Sequence, residues 1–301
     1  MPSRSHAVDS DLLARWCVEH LGSGPAKELF RSGHLSAVMG LRLDDGREVV
    51  VKVRPDSPRL AACVEVQRRM FEAGYPCPEP LTGVERLGGD MATAERYVPG
   101  GAVLPGGKDA SVAFAEAFVG LMELAPRPEE VGTLNPPPEW MDWNHCGEGL
   151  WPKPDLDGVA GAEWIDEAGR RARERLRADE GAAVIGHCDW LAGNVRWNEG
   201  ELLVVHDWDS VAAESEAVLV GCAAALHSTV DPEELATVEE TERFLVAYGR
   251  ARGRELDENE RRRAWAAGVW TRAFDAKCQH AMGQRITALS EGEARERLKR
   301  A

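Results

Sequence analysis

The 301 residues are 44% hydrophobic and 29% charged and carry a formal charge of −15, the balance of a soluble globular chain long enough for two lobes with separate cores. So strong an acidic excess repels nucleic acid and anionic membrane at long range, while attracting cationic small molecules. Seven scattered cysteines without a C-x-x-C pair exclude a disulfide framework or a zinc site and point to reduced thiols in a cytoplasm. Residues 1–16 lack the apolar stretch of a secretory signal, and the longest apolar run, Ala217 to Leu226, is too short to cross a bilayer.

In chain order, residues 9–21 have apolar positions at helical spacing behind Asp9 and Ser10 and predict a helix. Ala37 to Leu43 and Glu48 to Val53 flank Asp44-Asp45-Gly46-Arg47 and predict a β-hairpin with a type I′ turn at Asp-Gly. Residues 59–73 read as a helix closed by Gly74, and Pro76, Pro78 and Pro80 then force extended chain. A further β stretch ends at Tyr97-Val98, where Pro99-Gly100-Gly101 marks a hinge. Helices are predicted over 109–125, 163–178 and in several pieces beyond 232, with a β island at 182–185, 195–197 and 202–206 between them. A β-rich first third followed by a helical remainder predicts an α+β, two-lobed protein, divided into residues 1–97 and 98–301, with an acidic, Trp-rich insertion at about 126–167.

The chemistry concentrates in His187-Cys188-Asp189-Trp190-Leu191-Ala192-Gly193-Asn194 and in Asp207 at the end of an apolar strand. A carboxylate and an amide five residues apart on one loop can face a single cavity, and a second carboxylate beyond a short hairpin adds an oxygen donor suited to Mg²⁺. Lys52 follows three valines in a strand expected to be buried on both faces, where a lysine requires a partner. Phosphoryl transfer asks a protein for positioning and charge neutralisation and for little covalent chemistry, which these groups can supply.

At these positions the chain resembles the aminoglycoside phosphotransferase family, which shares the protein-kinase fold. The resemblance covers most of the chain: H-x-D-x-x-x-x-N at 187–194, the metal-binding aspartate at Asp207, a third strand bearing Lys52, the helix-Gly-proline region 59–80 and a hinge at Met91 to Gly100. It implies an ATP- and Mg²⁺-dependent small-molecule kinase. Asp189 would then be the catalytic base, Asn194 and Asp207 the metal ligands, and Lys52 the phosphate ligand, held by an ion pair to Glu65 with Glu72 as the competing carboxylate. The backbone of Glu95 and Tyr97 would grip adenine. His187 would brace the loop from the core, and Cys188 would pack without acting as a nucleophile. A protein-kinase G-x-G-x-x-G is missing; Arg31-Ser32-Gly33-His34-Leu35-Ser36 stands in its place, with Ser36 and backbone amides as phosphate contacts or, alternatively, an ordinary β-turn.

Residues 129–167 hold ten acidic side chains against one lysine, Lys153, and four of the ten tryptophans. Carboxylates beside flat aromatic faces suit a polycationic ring compound, such as an amino sugar, aminoglycoside or basic peptide antibiotic. Trp140, Trp143, Asp142 and Asp209 are the expected acceptor contacts, against the alternative of a solvated loop whose tryptophans pack on the lobe. Two further readings stay open at this level. One is a catalytically silent, nucleotide-binding kinase homologue. The other is a haloacid-dehalogenase-type phosphatase, suggested by the strand running into Asp207-Trp208-Asp209. The absence of an A-P-E segment before the apolar stretch at Glu216 argues against a protein kinase. No sequence feature specifies an oligomeric state.

Overall fold

The computed structural model describes residues 8–33, 36–104, 107–178, 181–228 and 235–301. Helix α1 (Ser10–Leu21) starts where the Asp9 carboxylate accepts the Leu12 amide hydrogen, and it stops at Gly22 in the left-handed region, φ 75°. Strands β1 (Pro25–Ser32), β2 (Ala37–Leu43), β3 (Glu48–Arg54), β4 (Glu85–Leu87) and β5 (Asp90–Arg96) form one antiparallel sheet in the order β1-β2-β3-β5-β4. Strand alternation divides β3 cleanly. Val49, Val51 and Val53 join Met39, Leu41, Ala92 and Ala94 in a core closed by Leu13, Trp16 and Cys17 of α1, while Val50, Lys52 and Arg54 face the opposite way. The β2–β3 connection is a four-residue loop, not the expected type I′ turn. Only Gly46 has positive φ, and the Asp45 carboxylate accepts the Arg47 amide hydrogen at 3.0 Å. Strand β1, half-exposed and lacking an apolar alternation, was not predicted from the pattern.

Helix α2 (Leu60–Glu72) follows β3 and leads to Gly74 at φ 83°. Its apolar face, Ala62, Cys63, Val66 and Met70, packs into the core of the helical lobe instead of the core under the sheet. Arg59, just before the helix, reinforces this: its guanidinium donates to the carbonyls of Asp209, Val211 and Leu134. The helix thus belongs by sequence to the first lobe and by packing to the second.

The remainder comprises α3 (Lys108–Leu124), the short α4 (Pro154–Asp157), α5 (Glu163–Arg177), strands β6 (Ala183–His187), β7 (Val195–Asn198), β8 (Glu201–Val205) and β9 (Val211–Ser215), then α6 (Glu216–Leu226), α7 (Val238–Arg252), α8 (Glu258–Ala281) and α9 (Glu291–Leu298). The β island is two antiparallel ribbons, β6–β9 and β7–β8. Residues 217–226 of α6 are all buried, and α6 approaches α8 so closely that a Cβ on Gly221 would lie 2.1 Å from the Ala264 carbonyl oxygen. Among the described residues no helix is long and apolar enough to cross a membrane.

Candidate active site

Between the sheet and the helical lobe lies a cleft of about 1020 Å³, lined among others by Ser36, Val50, Lys52, Glu95, Tyr97, Trp140, Asp189, Asn194, Asp207 and Asp209. The 187–194 loop enters it from the end of β6. His187 is fully buried; its Nδ1 accepts the Asp189 amide hydrogen at 3.2 Å, which leaves Nε2 to donate to the His206 carbonyl at 2.9 Å. That arrangement fixes a neutral tautomer, and burial pushes the imidazole down to about 4. Trp190 and Trp208 stand edge-on to the ring, each at 5.9 Å between centroids. His187 therefore braces the loop from behind, as the sequence suggested. Cys188 is buried, and burial raises its thiol well above the usual range, which removes it as a nucleophile.

Asn194 Nδ2 donates to Asp189 Oδ2 at 2.8 Å and to the Asp189 carbonyl at 2.9 Å. This bond aims the Asp189 carboxylate and leaves the Asn194 amide oxygen free of it. Burial, with the nearby Asp207 charge, raises Asp189 to about 7, although the Asn194 hydrogen bond works against the rise. Among the described residues Asp207 is one of three non-glycine residues at positive φ, 66°, a conformation costing about 1–2 kcal/mol and typical of residues held for function. The Trp208 indole donates to the Val205 carbonyl at 2.8 Å and locks the turn. Burial would raise Asp207, but the charges of Lys52 and Arg54 outweigh it and hold the carboxylate below its ordinary value. The Asn194 amide oxygen and the Asp207 carboxylate are hard donors of the kind Mg²⁺ takes. Among the described residues no group of three or more His, Cys, Asp or Glu could hold an ion alone, so phosphate oxygens and water would have to complete the shell.

Lys52 Nζ lies 3.3 Å from Glu95 Oε1 and 3.7 Å from Asp207 Oδ1. The ion pair to Glu65 is not made: Glu65 is engaged by Arg68 and Arg69 on the outer face of α2. Two residues, about half a helical turn, separate the two faces, and the α2 residue that reaches inward is Gln67, donating to Glu95 Oε2 at 2.9 Å and to the Pro78 carbonyl at 3.0 Å. Glu95 therefore works through its side chain, and its backbone lies within the sheet opposite Val50. The Tyr97 amide N–H is also taken up, by the Glu48 carbonyl at 3.1 Å, so it is not the Tyr97 backbone group that could serve adenine. The Tyr97 ring instead packs on Phe30, 5.6 Å between centroids, and the Phe30 ring covers Gly40 so closely that any Cβ there would overlap it. Of the phosphate-loop segment, Ser32, Gly33 and Ser36 line the cleft, and Gly33 is required because a Cβ would collide with the Ser36 carbonyl; His34 and Leu35 lie outside the described residues.

On the acceptor side the four expected contacts separate. Trp140 lines the cleft and donates to the Cys188 carbonyl at 3.2 Å. Trp143 does not: it is 1% exposed and its carbonyl is held by Arg173 at 2.6 Å. Trp151 is likewise in the core, against Trp270, its indole bonded to Asp166 and Asp166 to the buried Lys277. Apolar packing thus claims half of the insertion's tryptophans. Asp209 lines the cleft, but its carboxylate is held by Arg54 from β3, so it closes the wall towards the sheet. Asp142 is half-buried outside the lining residues, raised by burial more than its neighbours His145 and Arg173 lower it. Two carboxylates were missed. Burial raises Glu214 to about 7, with Asp142 adding to the effect, and raises Asp275 of α8 to about 7, with Asp189 adding to it. The available signal for Asp275 was a carboxylate set within an apolar helical stretch.

The phosphatase reading loses its context, because β8 belongs to an antiparallel two-stranded ribbon. No curated protein sequence matches the chain significantly. Solved structures do resemble it: an amicoumacin kinase, hAmiN, in complex with AMP-PNP, Ca2+ and Ami (TM-score 0.67, 12% identity, covering 97% of this chain and 92% of that one). A thermostable mutant of aminoglycoside phosphotransferase APH(4)-Ia, in a ternary complex with ADP and hygromycin B, aligns with TM-score 0.62 and 14% identity over 96% of this chain and 98% of that one. A choline/ethanolamine kinase family protein from Mesorhizobium loti aligns with TM-score 0.59 and 18% identity over 96% and 92%. At such identities they show a shared kinase-like fold. The model of the phosphotransferase enzyme family matches residues 28–265, and with the site assembled on that fold, the chain belongs to this family.

Proposed function

We propose that the protein is an ATP- and Mg²⁺-dependent small-molecule kinase, with residues 1–97 as its nucleotide lobe and 98–301 as its catalytic and acceptor lobe, that phosphorylates a hydroxyl of a cationic acceptor. The observation that carries this reading is the Asp189–Asn194 pair facing, across one cleft, the Lys52–Asp207 pair. Val38, Val50, Leu191 and Tyr97 offer an apolar slot for the base, with the Tyr97 carbonyl and Val98 as the remaining backbone contacts. Lys52, held by Glu95, receives the inner phosphates, and Ser36 covers them. Bound Mg²⁺, held by Asp207 and Asn194, would supply positive charge to the phosphate oxygens. Asp189 orients the acceptor hydroxyl and takes its proton as the oxygen bonds to the γ-phosphorus and the bond to the β,γ-bridging oxygen breaks, releasing ADP. A carboxylate near 7 is well matched to that exchange at neutral pH.

The acceptor class rests on charge. Asp142, Glu214 and Asp275 are all shifted upwards chiefly by burial. An acceptor bearing amines would provide the counter-charge that lets them ionise, and Trp140 provides a flat face. The kinases named above are described with antibiotics or as a choline/ethanolamine kinase family member, which supports a small-molecule acceptor. The test is Asp189→Asn: acceptor-dependent ADP formation should fall by roughly 10²–10⁴-fold with nucleotide affinity retained. Near wild-type turnover in this variant would remove Asp189 from its role.

A further inference from the structure

We propose that Arg54 is a second phosphate-binding cation of the cleft, taking the terminal phosphate of the nucleotide while Lys52 takes the inner ones. The inference rests on the kinase reading above and adds a residue to it. The register of β3 sets a direction: Glu48 neighbours the hinge through the Tyr97 amide, Val50 lies opposite Glu95, Lys52 follows, and Arg54 ends the strand on the same face. Each two-residue step is about 6.6 Å, so Arg54 stands one step beyond Lys52, away from the base and towards the point of transfer. There it meets Asp209 and acts on Asp207. Three carboxylates, Asp189, Asp207 and Asp209, line this end of the cleft, and a polyphosphate can enter only against added positive charge.

The other cations lining the cleft do not supply that charge. Arg59 is committed to three backbone carbonyls, and Arg196 stands at the hinge end, its Cβ against Gly101. Backbone amides help less than in a glycine-rich loop, since the covering turn has the single Gly33. Arg54 also has capacity to spare. Its Nε is buried without a hydrogen-bond partner among the described residues, as is Asp209 Oδ1, so the Arg54–Asp209 pair leaves both groups incomplete. A guanidinium in that state can keep one N–H on Asp209 and present others to a phosphate oxygen.

The experiment compares the affinity of ADP with that of the β,γ-imido analogue of ATP, both with Mg²⁺, by calorimetric titration of wild type, Arg54→Met, Arg54→Lys, Lys52→Met and Asp209→Asn. Arg54→Met should lose the triphosphate analogue by about tenfold or more and leave ADP within a factor of about two, whereas Lys52→Met weakens both. Arg54→Lys should lie between, and it carries the test if the methionine variant melts below the assay temperature. Asp209→Asn should keep the triphosphate preference, because it leaves the guanidinium in place. Equal losses for both nucleotides in the Arg54 variants, or none, would overturn the proposal and leave the kinase reading standing. A wild type that binds neither nucleotide would overturn both.

Discussion

Glu95 and Glu65 illustrate how a residue's role depends on the phase of a helix, two residues or about half a turn. An ion pair from the helix after the third strand was expected to hold Lys52, and Glu65 is the glutamate at the expected place in that helix. Its carboxylate is instead on the outer face with Arg68 and Arg69, while Gln67 bridges inward to Glu95. Glu95→Gln should therefore raise the KM for ATP by roughly tenfold, the scale of a buried charge-assisted hydrogen bond, and Glu65→Ala should leave it unchanged, an exposed pair being worth under about 1 kcal/mol. Steady-state kinetics on the two variants decide the matter; the reverse ranking would restore Glu65. That Asp189, Asn194, Asp207 and Lys52 come together in one cleft was legible from their spacing and strand pattern. Glu95's side-chain role was not, because a carboxylate in a β-strand declares its partner only once strand pairing and helix phase are known.

At the scale of elements, the helices and the hairpin strands were readable from periodicity, and the failures share a physical cause. β1 is half-exposed and carries no alternation, and Trp143 is indistinguishable in sequence from Trp140 although one is core and the other lines the cleft. Close backbone packing is similarly silent. Gly221 lies in an unbroken apolar stretch with no turn to explain it, yet its missing side chain is what allows α6 to meet α8 at Ala264. Gly221→Ala should destabilise the fold by about 3 kcal/mol, the upper range for overpacking against backbone, read as a lower urea midpoint at unchanged slope. Because α6 follows β9 and α8 carries Asp275, acceptor KM should rise with it. A variant as stable as wild type would show that the helices separate at little cost.

For the molecule as a whole, the charge of −15 is not spread as a solubilising coat alone, since Glu95, Asp189, Asp207 and Asp209 line the cleft. Further carboxylates, Asp142, Glu214 and Asp275, stand half-buried in the helical lobe outside the cleft's lining. Glu214 moves from an ordinary 4.5 to about 7 on folding. A carboxyl whose folded value is raised contributes stability below its unfolded value and loses it as pH rises through the folded one. Relative to wild type, Glu214→Gln should thus be neutral below about pH 4.5 and more stable by about 1–3 kcal/mol at pH 8, as urea unfolding at the two pH values can establish. A constant difference would mean that Glu214 is not held out of water in the wild type. Saturating acceptor should narrow the gap by supplying the cation. The central claim is phosphoryl transfer to such an acceptor, and it is met most directly by Mg-ATP-dependent ADP release across amino sugars, aminoglycosides, basic peptide antibiotics and neutral sugars, with Asp189→Asn alongside. The account predicts release stimulated by a cationic acceptor in the wild type alone. Release that no acceptor stimulates, or that Asp189→Asn matches, would contradict it.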